Sequence, residues 1–281
     1  MRPVDATDCA QSPDYLEPLG RVRSVRWSRT GLLIPAWIGI AVLLVPMVAL
    51  LLKADWAGMP AQLAKPSVVP ALRLSLMTTS STLVICALLG TPLAWLLARS
   101  THRLTPWLRA LVTVPLVLPP VVGGVALLMA YGREGVVGRT LLEVAGWSIP
   151  FTPVAVVFAE TFVAMPFYVL AVEGSMRGLD RRYDGLAATL GASPWRTFRT
   201  VVVPMVAPGI ASGSALAWAR ALGEFGATIT FAGSFPGRTQ TAPLAVYVAL
   251  ESDPQAAIAL SLVMLLVSIV ILGVLRGRWL R

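Results

Sequence analysis

The sequence predicts an all-α fold, a bundle of about six membrane-spanning helices, and three observations predict it. The first is composition: of 281 residues, 56% are hydrophobic and 13% charged, and the mean hydropathy is +0.75. Soluble domains average about 25% charged residues, so this chain has too little polar surface to cover a globule in water. The second is a set of six apolar stretches, roughly 31–52, 74–98, 108–131, 150–172, 201–222 and 256–275. Each approaches the ~20 residues that a hydrocarbon core requires of a helix. The third is the alternation of Arg and Lys between connections. A net charge of +9 would suggest nucleic acid in a soluble protein, but here the charges sit between apolar runs, where they set membrane orientation.

Residues 1–30 read as a polar, proline-containing cytoplasmic tail that carries Arg21, Arg23, Arg26 and Arg29. No small-residue cleavage site follows a short apolar core, so 31–52 is expected to be a retained anchor, and 31–281 a single membrane domain. The second stretch opens with Ser75, Thr78, Thr79, Ser80, Ser81 and Thr82; such hydroxyls can bond back to their own helix. The third contains Pro115, Pro119 and Pro120 followed by Gly123 and Gly124. Each proline removes a backbone donor and clashes one turn back, so this stretch cannot be one uninterrupted helix. Broken backbone at membrane depth needs protein or a water-filled cavity beside it, which leaves a kinked packing helix or a pathway-lining helix. The fourth stretch holds Glu160, with Glu173 at its end. Intramembrane charges normally face the bundle interior, and a helix-to-helix hydrogen bond is the expected role of Glu160. The fifth is the least regular, with Arg220 near its end and Glu224 just beyond. Four residues apart, these two can share a face and pair, either closing a helix end or standing at the mouth of a pathway.

Orientation follows from the connections. Arg99, Arg103 and Arg109 lie in one, Arg177, Arg181, Arg182, Arg196 and Arg199 in another, and Arg276, Arg278 and Arg281 at the C-terminus. The intervening connections carry only Lys53, Lys65, Arg73, Arg133, Arg139 and Arg238. By the positive-inside rule both termini are cytoplasmic, which requires an even number of spans. No connection exceeds about 30 residues, too few for a separate soluble domain.

Catalysis finds little support. The single histidine, His102, falls in a basic connection rather than at depth, where a Ser–His or metal site in the membrane would need it. Gly213-Ser214-Ala215 therefore reads as a small-residue packing stretch. Cys9 and Cys86 have no metal-ligand spacing and read as free thiols. The segment from Arg133 to Thr140 approaches a phosphate-binding loop but lacks its first glycine and has Arg139 where lysine belongs. No nucleotide site is visible, so any ATP-driven step would belong to a partner.

The strongest motif is the segment Asp184-Gly185-Leu186-Ala187-Ala188-Thr189-Leu190-Gly191-Ala192, running on to Val201, Val203 and Pro204. It resembles the cytoplasmic loop signature of ABC importer permeases: Glu-Ala-Ala, three residues, Gly, nine residues, Ile-x-Leu-Pro. Gly191 matches the glycine, Val201 the isoleucine and Pro204 the proline; Gly185 stands in place of the glutamate, with Asp184 one position earlier, and Val203 replaces the leucine. A second stretch, Arg220-Ala221-Leu222-Gly223-Glu224-Phe225-Gly226-Ala227-Thr228-Ile229-Thr230-Phe231, followed by Pro236 to Tyr247, is similar to the corresponding region of molybdate permeases. The resemblance covers about 72–275, and sulfate permeases are near relatives.

This resemblance implies the type I ABC importer permease fold and a coupling helix at about 179–196. In it Asp184, Gly185, Ala187, Ala188, Gly191 and Ala192, with Pro204 beyond, would contact the ATPase; Ala187, Ala188, Leu190 and Ala192 are available for packing, and Gly191 can end or bend the helix. The implied assembly is a permease homodimer with two ATPase subunits and an extracytoplasmic molybdate-binding protein, in the cytoplasmic membrane of a prokaryote. It contacts lipid and no nucleic acid. No cofactor would be held by this chain, ATP and Mg being used by the ATPase. The alternative cargo is sulfate, thiosulfate or tungstate. An anion crossing a low-dielectric layer benefits from a wet, hydroxyl-lined or positive path; Thr78, Ser81, Pro119, Arg220, Glu224, Thr228 and Thr230 are the expected contributors.

Overall fold

The computed structural model describes residues 29–180 and 182–279. Expectations placed on residues 1–28, Cys9 among them, and on Arg181 and Arg281 lie outside the described residues. Those described contain helices and no strand. The chain divides into two units, Met1–Leu52 and Lys53–Arg281. The first contributes α1 (Arg29–Lys53), an apolar helix that contains Pro35 and Pro46.

The second unit runs α2 (Met59–Leu63), α3 (Val68–Arg99), α4 (Thr105–Val117), α5 (Pro120–Tyr131), α6 (Gly138–Ala145), α7 (Pro153–Arg177) and α8 (Arg182–Thr189). It continues with α9 (Pro194–Thr197), a π-helical turn (Phe198–Val202), α10 (Val203–Met205), α11 (Ala207–Leu222), α12 (Gly226–Phe231), α13 (Ala242–Ser252) and α14 (Pro254–Trp279). Four helices, α1, α3, α7 and α14, are long and apolar enough to cross a membrane, and six spans result if each of two bent pairs counts as one.

The bent pairs are where the predicted stretches needed correction. Stretch 108–131 is α4 and α5, meeting at 115°. Leu118 is extended (φ −65°, ψ 131°) because the following Pro119 disfavours helical backbone there, and Pro120 then opens α5. The pair still runs along α7: Arg109 is tied to Glu173 at one end of α7, and Tyr131 packs edge-to-face on Phe158 near its other end. Stretch 201–222 is likewise broken, the arm Pro194–Met205 meeting Ala207–Leu222 at 74°. Pro204 and Pro208 remove donors on either side of Val206.

The core lies where α3, α7 and α11 meet. Cys86, Ala94 and Leu97 pack on Ala164, Tyr168, Val169, Val172 and Met176, with Phe198, Val202, Ala217 and Ala221 closing the cluster. In lipid, close packing replaces hydrophobic drive as the source of helix association. A Cβ on Gly90 would sit 2.7 Å from the Tyr168 ring, and one on Gly213 3.1 Å from the Tyr168 carbonyl. Gly213 is thus a contact residue, as its small-residue context suggested. Tyr168 is fully buried, and its hydroxyl lies 2.6 Å from Thr91 Oγ1. At the opposite end, Ser75 Oγ accepts the Ala242 backbone N–H at 2.7 Å, joining α3 to α13. Lys65 pairs there with Asp253, at the turn between α13 and α14.

Candidate functional site

The segment after α7 is built by local backbone chemistry. Asp180 Oδ1 accepts the Arg182 N–H at 2.9 Å and so starts α8. At the other end Gly191 adopts φ +76°. Its N–H bonds the Ala188 carbonyl, and the Ala192 N–H bonds the Ala187 carbonyl, both at 3.0 Å. This paired pattern is a Schellman cap. Nothing lies within 4 Å of a Cβ built on Gly191, so conformation, not space, calls for glycine there. Ser193 Oγ then accepts the Arg196 N–H and starts α9. Trp195 stacks on Phe198, which meets Trp95 of α3 edge-to-face.

Of the four residues expected to pack in and just after α8, Ala187 is buried, whereas Leu190 is 87% exposed. Leu190, Leu186, Tyr183 and Trp195 together leave large apolar side chains uncovered around α8 and α9. Gly185 is exposed with no neighbour near its Cα, and Pro204 sits in α10 at the bend.

Charges tie this segment to the bundle. Asp184 lies 3.2 Å from Arg99 Nε at the end of α3, and Arg99 Nη1 donates to the Leu179 carbonyl. Next to it, Glu173 is buried and receives Arg109 (2.6 Å) and Arg177 (3.0 Å) on the same carboxylate oxygen. Arg109 also donates to the Leu97 carbonyl. One carboxylate thus gathers α3, α4 and α7 beside α8. Sequence reasoning assigned these arginines to membrane orientation alone; the four-residue spacing of Glu173 and Arg177 was the one available signal of pairing.

The pathway candidates fall in two places. Thr78 Oγ1 donates to Glu160 Oε1 at 2.8 Å and Thr82 Oγ1 to Glu160 Oε2 at 2.9 Å, all buried between α3 and α7. Glu160 therefore makes the expected helix-to-helix hydrogen bonds. Ser81 is exposed and bonds back to the Met77 carbonyl. The others surround the α5–α12 contact. Pro119 stands at the α4–α5 break, and a Cβ on Gly226 would fall 2.7 Å from Pro120 Cβ. Thr230 bonds back to the Gly226 carbonyl at 3.0 Å and faces Gly124. Arg220 and Glu224 pair at 2.7 Å, Glu224 nearly fully buried, and Glu224 Oε1 also accepts the Ala227 N–H. Thr228 is fully buried, and its hydroxyl has no partner among the described residues. Among those residues, no group of three His, Cys, Asp or Glu side chains could hold a metal.

Comparison with known proteins agrees with this architecture. A family profile described as binding-protein-dependent transport system inner membrane component matches residues 90–277. The molybdenum transport system permease protein ModB of Mycobacterium tuberculosis is 50% identical over 242 residues, covering 86% of this chain and 91% of that protein. The protein of the same name from Escherichia coli is 37% identical over 210 residues, 75% of this chain and 92% of its own. The crystal structure of a bacterial ABC transporter involved in alginate import superposes with a TM-score of 0.71 at 15% identity, over 90% of this chain and 94% of that one. Helical in its described elements, with two bent helix pairs and a capped helix between α7 and α9, this chain belongs to the family of binding-protein-dependent transport system inner membrane components.

Proposed function

We propose that this chain is the permease subunit of an ATP-driven importer and that its cargo is molybdate. The observation that carries the cargo is the 50% identity, over most of both chains, to a relative named for molybdenum transport. A homodimer of the chain would form the pathway, two ATPase subunits would engage α8, and an extracytoplasmic binding protein would deliver the anion. ATP and Mg would be used by the ATPase. The apolar side chains left uncovered at Leu186, Leu190 and Trp195 support a docking role for this surface, since exposed apolar clusters mark interaction sites. The arginines at the ends of α3 and α7 support a cytoplasmic location for it and for both termini.

In this reading, docking and release at α8 move the α3–α7–α11 bundle through the Arg99–Asp184 and Glu173 ties, and the breaks at Leu118–Pro119 and Val206 take up the change. The test is molybdenum uptake at nanomolar supply in cells with and without the gene, challenged by excess sulfate or tungstate. Gene-dependent uptake suppressed by tungstate and not by sulfate is expected. Uptake suppressed equally by sulfate would move the assignment to a sulfate-type permease and leave the coupling reading in place.

A further inference from the structure

The end of the bundle next to α8 contains a cavity of about 460 Å³, lined among others by Arg99, Ser100, Thr101, His102, Thr105, Arg109 and Arg177. Three guanidinium groups, an imidazole and three hydroxyls line it, and among the described residues no carboxylate does. Two acids pair with these arginines: Glu173 holds Arg109 and Arg177, and Asp184 holds Arg99. Three positive and two negative charges leave a net of +1 beside the cavity.

Donor capacity is also left over. Arg99 Nη2 is buried and has no acceptor among the described residues. Ser100 Oγ accepts from the His102 N–H at 3.2 Å and from Thr105 Oγ1 at 2.9 Å, so its own proton remains to be donated. His102 Nδ1 accepts the Leu104 N–H at 3.1 Å, which sets the tautomer that carries its proton on Nε2. Guanidinium forks and hydroxyls around a space without acids match a tetrahedral oxyanion of the phosphate type.

We propose that this cavity binds a phosphoryl group, either as free phosphate or as the headgroup of an acidic phospholipid. Basic pockets between membrane helices take such headgroups. Leu104 and Trp107, both exposed beside the cavity, would lie against the glycerol and acyl portion of a lipid. The site is separate from the α3–α7 and α5–α12 clusters considered for the pathway, and its test needs no transport, so it stands or falls independently of the cargo.

The experiment is a thermal-shift titration of the full-length chain purified in detergent, at constant ionic strength set with chloride. The probes are inorganic phosphate, short-chain phosphatidylglycerol and short-chain phosphatidylcholine. Two variants accompany it: Thr101→Asp, which puts a carboxylate on an exposed part of the wall, and Arg177→Gln, which removes a half-exposed guanidinium. A midpoint that rises with phosphate alone identifies a soluble anion. A rise with phosphatidylglycerol alone identifies an acidic lipid headgroup, and a rise with both phosphate and phosphatidylglycerol shows that a net-anionic phosphate is recognised from either source. In each case affinity should fall about tenfold or more in Thr101→Asp, a charge repulsion at close range, and less in Arg177→Gln. No response to either anionic probe, equal responses to phosphatidylglycerol and phosphatidylcholine, or unchanged affinity in the folded variants would overturn the proposal.

Discussion

Gly191 offers the sharpest perturbation of α8. It holds φ +76°, and its own N–H and that of Ala192 make the two hydrogen bonds of the cap. An L-residue forced into that region pays roughly 1–2 kcal/mol, and asparagine pays less, because it tolerates left-handed backbone. Sterics add nothing for a small side chain, since no atom lies within 4 Å of the new Cβ. Gly191→Ala therefore isolates the conformational cost. At about 1.4 kcal/mol it lowers the population of the capped helix about tenfold relative to uncapped forms. Gly191→Val is worse, being β-branched, and Gly191→Asn should be close to wild type. The segment is an exposed loop, so global unfolding should hardly move. The assay is capture of the ATPase partner by membranes containing each variant, read beside molybdenum uptake and membrane insertion. Capture and uptake should fall in the order Gly, Asn, Ala, Val while insertion stays constant. Normal uptake by the valine variant, or an asparagine variant worse than alanine, would refute the argument that the cap presents α8.

The buried carboxylate of Glu173 gives a second test: Arg109→Ala strands it against Arg177 alone and should cost about 3 kcal/mol. The paired change Arg109→Met with Glu173→Met should cost less than the single one in thermal unfolding in detergent. Thr228→Val replaces a buried hydroxyl that has no partner, so stability should be unchanged or higher; unchanged uptake would also remove Thr228 from the pathway candidates. At Asp253, the hydrogen bond from Lys65, aided by the Ala256 N–H, holds the carboxyl below its ordinary value. A depressed folded value stabilises above the unfolded pKa, about 3.9, and that contribution disappears as pH falls through the folded value. Unfolding midpoints of wild type and Asp253→Asn should differ at neutral pH and converge in strong acid, with a small gap because the pair is partly exposed and screened by solvent.

Features encoded within a few residues were legible in the sequence. The apolar stretch 74–98 lies inside α3, Val68–Arg99, because hydropathy is a local property. The break at Pro119 was legible for the same reason, since a proline acts on the turn before it. Its 115° angle was not. That depends on α12 meeting α5, with Gly226 against Pro120, a contact between segments remote in sequence. The Gly191 cap was legible in its residue type, but the exposure of Leu190 was not, because an alanine-rich helix shows no strong periodicity to say which side is covered.

The arginines carry a different lesson. Arg99, Arg109 and Arg177 satisfy the positive-inside pattern, which accounts for their presence in the sequence without requiring a partner for any of them. Arg109 and Glu173 are 64 residues apart, and nothing local marks them as partners. Yet an orienting charge needs only to stay on one side of the membrane, whereas these make specific bonds: Arg109 to Glu173 and the Leu97 carbonyl, Arg99 to Asp184 and the Leu179 carbonyl. The same side chains that follow the positive-inside pattern thereby join α8 to the ends of α3, α4 and α7. If an ATPase moves α8, the displacement must pass through bonds to groups that cannot retreat into the hydrocarbon. The bundle behind them meets through contacts as close as Gly90 on Tyr168, so it should move as a unit, and the change in shape should concentrate at the two proline-broken spans.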